Sequence, residues 1–259
     1  MSVNIHPLAC VEPGAELGEN VTVGAFSVIG ANVKIGDSTK VGAQVVIDGH
    51  TTIGKNNEFF SFTAIGGEPQ SVSYKGEPTK TIIGDNNIFR ENMTVHRGTV
   101  GDEGVTSIGN DNLFMAYVHI AHDCRLGSNL LFSNNASLAG HVKVEDNVVL
   151  AGYTLVHQFV RIGRYSFCGV NTYTTNDVPP FMLVAGDKAI THGINTRGLR
   201  GGGIDKETIV ELKRAYKTIY RSGFTIAKAL EEIAAVNYQS DEVKELVDFI
   251  QGAKRGVVR

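Results

Sequence analysis

The chain reads as a parallel β-helix followed by a small helical segment, and three observations predict this. An aliphatic or aromatic residue recurs every six positions through most of the first 170 residues, the fourth residue after each marker is commonly Ala, Val, Ser or Thr, and Gly or Asn stands between them. A period of six fits neither a helix nor a hairpin meander. It fits stacked coils in which each hexapeptide supplies one short strand, small residues fill a tight interior, and Gly and Asn form the corners.

The first run of markers is Ile5, Val11, Leu17, Val23, Ile29, Ile35, Val41, Ile47, Ile53, Phe59 and Ile65. Residues 66 to 82, polar and rich in Gly and Pro, then leave the repeat and return the chain in register for Ile83, Phe89 and Val95. Residues 96 to 107, HRGTVGDEGVTS, cost one residue of register before a third run from Ile108 through Phe114, Ile120, Leu126, Phe132, Leu138, Val144, Leu150, Val156 and Ile162 to Cys168. Agreement over 25 units is not chance. Excursions from a rigid solenoid are where binding functions concentrate.

The repeat stops near Pro179 and Pro180, which cannot continue a ladder. In residues 204 to 222, Ile209, Leu212, Ala215, Tyr216 and Ile219 recur at helical spacing, with Asp205 as a cap and Gly223 as a stop. FTIAKALEEIAAVN and SDEVKELVDFIQG read as two further helices, the second with Ser240 as its cap. The expected division is a β-helix over 1–187 and a helical domain over 188–259.

Composition, at 42% hydrophobic and 20% charged residues, is that of a globular protein and excludes disordered and collagen-like classes. No apolar run approaches the ~18 residues of a membrane span, and the N-terminus lacks the pattern of a signal peptide. Cys10, Cys124 and Cys168 form no metal or redox spacing. A cytoplasmic protein with reduced thiols is expected. The net charge of −3 gives no reason to expect a nucleic-acid partner, but it is unevenly spread. Residues 1–187 hold 11 Lys or Arg against 18 Asp or Glu, and residues 188–259 hold 13 against 9. The basic C-terminal part points to an acidic partner.

Counting also places the histidines. If three hexapeptides make a coil, residues 18 apart are stacked, and His122, His141 and His157 fall within two positions of one another on successive coils. With coils about 4.8 Å apart, they should form one column. His96 falls outside it and could join only across a cleft between subunits. Three uses of the column stand open: a metal site, with His119 and His122 at ligand spacing; general-base catalysis, for which His122, Asp123 and Gly140 supply base, orienting carboxylate and oxyanion donor; and a purely structural stack.

In its repeats the chain resembles the hexapeptide-repeat acyltransferases, which implies a left-handed parallel β-helix with three hexapeptides per coil and a homotrimer. HIAHDC at 119–124, NNASLAGHV at 134–142, VHQF at 156–159, HRGT at 96–99, GEPT at 76–79, DVPP at 177–180, GINTRGL at 193–199 and AYKTIYRSG at 215–223 are more specific. Together they resemble the UDP-N-acetylglucosamine O-acyltransferases, the family that opens lipid A synthesis. The resemblance implies transfer of a 3-hydroxyacyl chain from acyl carrier protein to the sugar 3-hydroxyl, without metal or cofactor.

It makes His122 the general base, Asp123 its orienting partner and Gly140 N–H the oxyanion donor. Tyr74, His96, His119, His141, His157, Gln158, Asn195 and Arg200 would contact substrate. Lys213, Arg214, Lys217 and Arg221, on one basic helix, would dock the acidic carrier. The chain departs from the family pattern at Ser73, Arg197, Gly201 and Gly202, which bears on whether the acceptor is N-acetylglucosamine or a 3-amino analogue. It also departs at Val170, where Gly would floor a longer acyl groove. A hydratase of the carbonic anhydrase type and a non-catalytic nucleotide-sugar binder are the alternatives from other classes.

Overall fold

The structure is a computed structural model and describes residues 3–236 and 238–259. Among the described residues the six-residue period becomes three sheets of 11, 9 and 8 strands, parallel but for one final pairing, most strands only two residues long, which the chain visits in turn. Stacked partners lie 18 residues apart, as in Val28↔Val46 and Leu131↔Val149. This is the left-handed parallel β-helix expected, followed by helices.

The markers make the core. Ile29, Ile47, Ile65, Val95, Ile120 and Leu138 are essentially buried, and Phe59, Phe89, Phe114 and Phe132 stack with ring centroids 4.6, 5.3 and 5.2 Å apart along one face. Each such ring removes a large apolar area from water and gains further from ring contacts that run from stacked at Phe59–Phe89 to edge-to-face at Phe114–Phe132. The small fourth positions also point inward. At several of the polar ones corner carbonyls satisfy the side chain: Ser27 Oγ donates to Gly42 O, and Asn57, Asn87 and Asn112 form an amide ladder closed on Gly84, Gly109 and Gly127. These buried amides and hydroxyls are thus paired and tie one coil to the next.

The two excursions are longer than the hexad phase reveals. Ile65 pairs with Val95, thirty residues on, and Val95 with Ile120, twenty-five residues on. Relative to an 18-residue coil the first excursion therefore inserts twelve residues and the second seven. Twelve is a multiple of six and leaves no phase change; seven registers as a slip of one.

The parallel ladder ends at Met182–Ala185, which pairs antiparallel with Ile190–Ile194. Among the described residues four helices follow: α1 (Thr196–Gly201), α2 (Lys206–Tyr220), α3 (Ile226–Ala235) and α4 (Asp241–Gln251). Asp205 caps α2 by accepting from Thr208 N–H and Oγ1, and α2 buries Ile209, Leu212, Ala215, Tyr216 and Ile219, the face the spacing predicts. Ser240 holds the N-cap position of α4 but makes no capping side-chain bond; Asn237 lies outside the described residues. Arg164 binds Glu245 at 2.7 Å and Arg161 lies 4.1 Å over the Phe249 ring, fastening α4 to the last coils. No described helix is long and apolar enough to cross a membrane.

Candidate active site

The site sits at one corner of the solenoid. Corner residues adopt the left-handed conformation throughout, Asn129, Asn135 and Asn147 as well as Asp123 and His141, both at φ 61°. The conformation therefore belongs to the corners and is not strain reserved for the site.

Asp123 is buried, and its carboxylate accepts from Thr99 N–H at 2.8 Å, Thr99 Oγ1 at 2.7 Å and His122 Nδ1 at 2.8 Å. Because Nδ1–H of His122 donates to the carboxylate, Nε2 is left as the acceptor of the ring. One coil on, a Cβ at Gly140 would stand 2.6 Å from His122 Cε1 and 2.9 Å from Nε2. Only glycine lets the backbone come this close. The Gly140 N–H has no acceptor among the described residues and is available to a ligand beside His122.

These groups open on a cavity of about 490 Å³ lined by Gln70, His119, His122, Gly140, His157, Gln158 and Tyr173, with apolar Leu138, Leu155 and Val156. His157 Nδ1 lies 3.2 Å from Gln158 O and 3.3 Å from Arg255 Nη2, so the C-terminal tail also reaches this corner.

Two placements correct the counting. His96 does not need a second subunit: its ring packs edge-on against His119 of the same chain, centroids 5.3 Å apart. The seven inserted residues bring position 96 beside 119 and 122, which a slip of one would not. Burial, reinforced by His119 and His122, pushes the His96 imidazole down to about 4. Burial and then His122 likewise lower His119, whose Nδ1 is 2.7 Å from Thr94 Oγ1.

The single histidine column is the other correction. Residues 18 apart stack as counted, but that puts Gly140 and Gln158 in line with His122, and puts His141 in line with Asp123 and Phe159. His141 meets the His122 ring edge-on at 5.1 Å and stacks on Phe159 at 4.5 Å. It lines a further cavity of about 530 Å³ with Asp102, Phe159 and Arg255. His157 shares the first cavity with His122. A two-position offset at a corner turns the side chain to another side.

The other predicted residues fall at varied distances from this centre. Tyr74, in the first excursion, accepts from Arg97 Nη2 at 2.7 Å and donates to Glu77 O. Val170 is a 70% exposed corner residue outside the lining of the first cavity. Asn195 is buried and caps α1, accepting from Gly198 N–H and donating to Tyr165 O; its amide is committed locally, and it does not line the cavity of this chain. Arg200 is exposed in the last turn of α1. Lys213, Arg214, Lys217 and Arg221 are exposed along α2 and its cap, without ion pairs among the described residues.

Thr99, Gln70 and Asp102 carry no signal in the residue patterning. The HRGT motif is the available signal for Thr99; excursion residues have no periodic position from which to infer a contact. His122, Asp123 and His141 offer ligand atoms within 4.8 Å of one another, but a metal there would displace the hydrogen bond between His122 and Asp123.

A family model described as UDP-N-acetylglucosamine O-acyltransferase, domain 2, matches residues 177–258. Over 256 residues, 98% of this chain and 97% of the relative, the chain is 53% identical to the acyl-[acyl-carrier-protein]–UDP-N-acetylglucosamine O-acyltransferase of Xylella fastidiosa. It is 54% identical over 255 residues, covering 98% and 99%, to the protein of the same name from Alkalilimnicola ehrlichii. Among solved structures, the UDP-N-acetylglucosamine acyltransferase of Francisella novicida superposes with TM-score 0.95 at 40% identity, over 98% of this chain and 94% of that chain.

Proposed function

From its membership of the UDP-N-acetylglucosamine O-acyltransferase family, to which this chain belongs, we propose that it catalyses the first step of lipid A synthesis. The donor is a 3-hydroxyacyl thioester on acyl carrier protein and the acceptor is the 3-hydroxyl of UDP-N-acetylglucosamine. The carrying observation is the His122–Asp123–Gly140 arrangement, in which an oriented imidazole faces a backbone N–H without a protein acceptor.

His122 Nε2 takes the proton of the sugar 3-hydroxyl as its oxygen attacks the thioester carbon. Asp123, fixed by Thr99, holds the ring in this tautomer and stabilises the imidazolium that forms. Gly140 N–H donates to the carbonyl oxygen as it becomes an oxyanion. Collapse breaks the carbon–sulfur bond, and the proton on His122 passes to the departing thiolate. His96 and His119, both depressed by burial, supply neutral imidazoles to the same wall. With His141, His157, Gln158 and Tyr74 they make the sugar-nucleotide side of the site, and Asn195 and Arg200 contribute from a neighbouring protomer of a cytoplasmic homotrimer.

Lys213, Arg214, Lys217 and Arg221, without ion pairs among the described residues, suit the acidic carrier, so the KM for the acyl donor should rise with ionic strength. Val170, projecting at a corner, shortens the acyl groove; a pocket floor of this kind rejects an extra methylene at ~1–3 kcal/mol. Assay of the purified protein with UDP-N-acetylglucosamine and carrier thioesters of increasing acyl length tests reaction and length selection together. The expected outcome is O-acylated sugar nucleotide with a preference for shorter chains. Absence of product at every length, with acceptor binding intact, would overturn the reading.

A further inference from the structure

His141 is held between two acidic side chains that reach it from different parts of the chain. Its Nδ1 lies 2.9 Å from Asp102 Oδ2, and its Nε2 lies 3.6 Å from Oδ2 of Asp123, the carboxylate that orients His122. Asp102 belongs to the second excursion and is itself fixed: Arg125 Nη2 binds its Oδ1 at 3.0 Å, while Arg125 Nη1 binds the neighbouring Glu103 at 2.6 Å. The hydrogen bond from His141 is the leading reason the Asp102 carboxyl lies below its ordinary range. Three residues earlier the same excursion gives both Thr99 bonds to Asp123.

We propose that Asp102 is a positioning residue for acyl transfer: by accepting the Nδ1–H of His141 it fixes that ring's tautomer and turns Nε2 toward the His122–Asp123 pair and the acceptor sugar. Without it, Nδ1 has no acceptor among the described residues, and the ring is free to turn over Phe159 or carry its proton on Nε2. Nε2 then changes from acceptor to donor, and a sugar hydroxyl that it receives loses its partner. The inference rests on the acyl-transfer reading, and makes one excursion the support of both the base and a substrate-binding imidazole.

The test compares Asp102→Leu, Asp102→Asn, His141→Ala and the double variant Asp102→Leu/His141→Ala, with UDP-N-acetylglucosamine varied at saturating acyl donor. A hydrogen bond to a charged partner is worth enough that its loss should lower kcat/KM by roughly tenfold or more. The loss should lie mainly in KM. Asp102→Asn keeps a carbonyl acceptor and should recover most of it. The double variant should be no worse than His141→Ala, because Asp102 acts through that ring. Nitrogen-15 shifts of the His141 imidazole should report Nδ1 protonation in the wild type and a changed pattern in Asp102→Leu. Losses that multiply in the double variant, an Asp102→Leu enzyme within twofold of wild type, or an unchanged imidazole spectrum would each overturn the proposal. Failure of the wild type to turn over would instead sink the acyl-transfer reading, and the spectrum would still test the tautomer.

Discussion

The two excursions leave the solenoid on neighbouring coils and are held in different ways. The first carries Val72 fully exposed, and its side-chain contacts with the solenoid gather on Arg97, whose guanidinium donates to Gly66 O and Tyr74 Oη and reaches Glu68 at 3.5 Å. The second is tied down from within: buried Thr99 gives two hydrogen bonds to buried Asp123, and Asp102 and Glu103 are clamped by Arg125. A segment fastened to a buried carboxylate becomes part of the rigid site. One fastened at its base and, farther out, by a phenol at the rim can adjust around substrate. Substitution of Thr99, which holds the carboxylate beside the base, should therefore act on the chemical step, whereas substitutions in the first excursion, and of Asp102 on the binding imidazole His141, should act on KM.

The widest contrast comes from the corner that the second excursion supports. Gly140→Ala places a methyl into the His122 ring and should cost about 10²-fold or more in kcat, because the imidazole must shift from its working position. An alanine enzyme with unchanged kcat would show that the close approach is dispensable. Thr99→Val comes next. It removes one of three donors to a buried carboxylate, so kcat should fall by roughly tenfold and stability by about 1–3 kcal/mol, read from urea unfolding. Tyr74→Phe should instead leave kcat near wild type and raise the KM for the nucleotide sugar a few-fold; a kcat effect as large as that of Thr99→Val would erase the distinction between the excursions.

A last effect lies outside turnover, in stability against pH. His96 stays neutral in the folded protein down to about 4, whereas in an unfolded chain it protonates near 6.5. Between those values the unfolded state binds more protons, so this contribution is whole above 6.5 and is lost as pH falls toward 4. His96→Gln should flatten the fall of the urea midpoint across that window. An unaltered slope would mean that His96 is protonated in the folded state as readily as in the open chain.

What is legible in the sequence follows from the same contrast. The hexad gives the phase of every residue within a face, because an apolar side chain turned outward by one position would lose its burial, and Ile29, Ile120 and Leu138 are buried as counted. The 18-residue stacking likewise puts Gly140 against His122. Phase modulo six does not say which of the three faces a residue occupies once the chain has left the coil. Hence the first excursion leaves no trace in the phase, the second registers as a slip of one, and counting misplaces His96 but not His122. Contacts made by the excursions, Thr99 to Asp123 and Asp102 to His141, depend on loop conformation and have no periodic signature. At the corners, two residues of offset turn a side chain to a different side, and for that reason His141 stacks on Phe159 instead of joining His157.

The central claim is that His122 performs the proton transfer and does not merely bind. Turnover and equilibrium binding of UDP-N-acetylglucosamine, measured side by side on His122→Ala, test it directly. The expected result is a loss of ~10²–10⁴ in kcat with nucleotide-sugar affinity within a few-fold of wild type. A variant that keeps its turnover, or one whose loss lies wholly in binding, would contradict it.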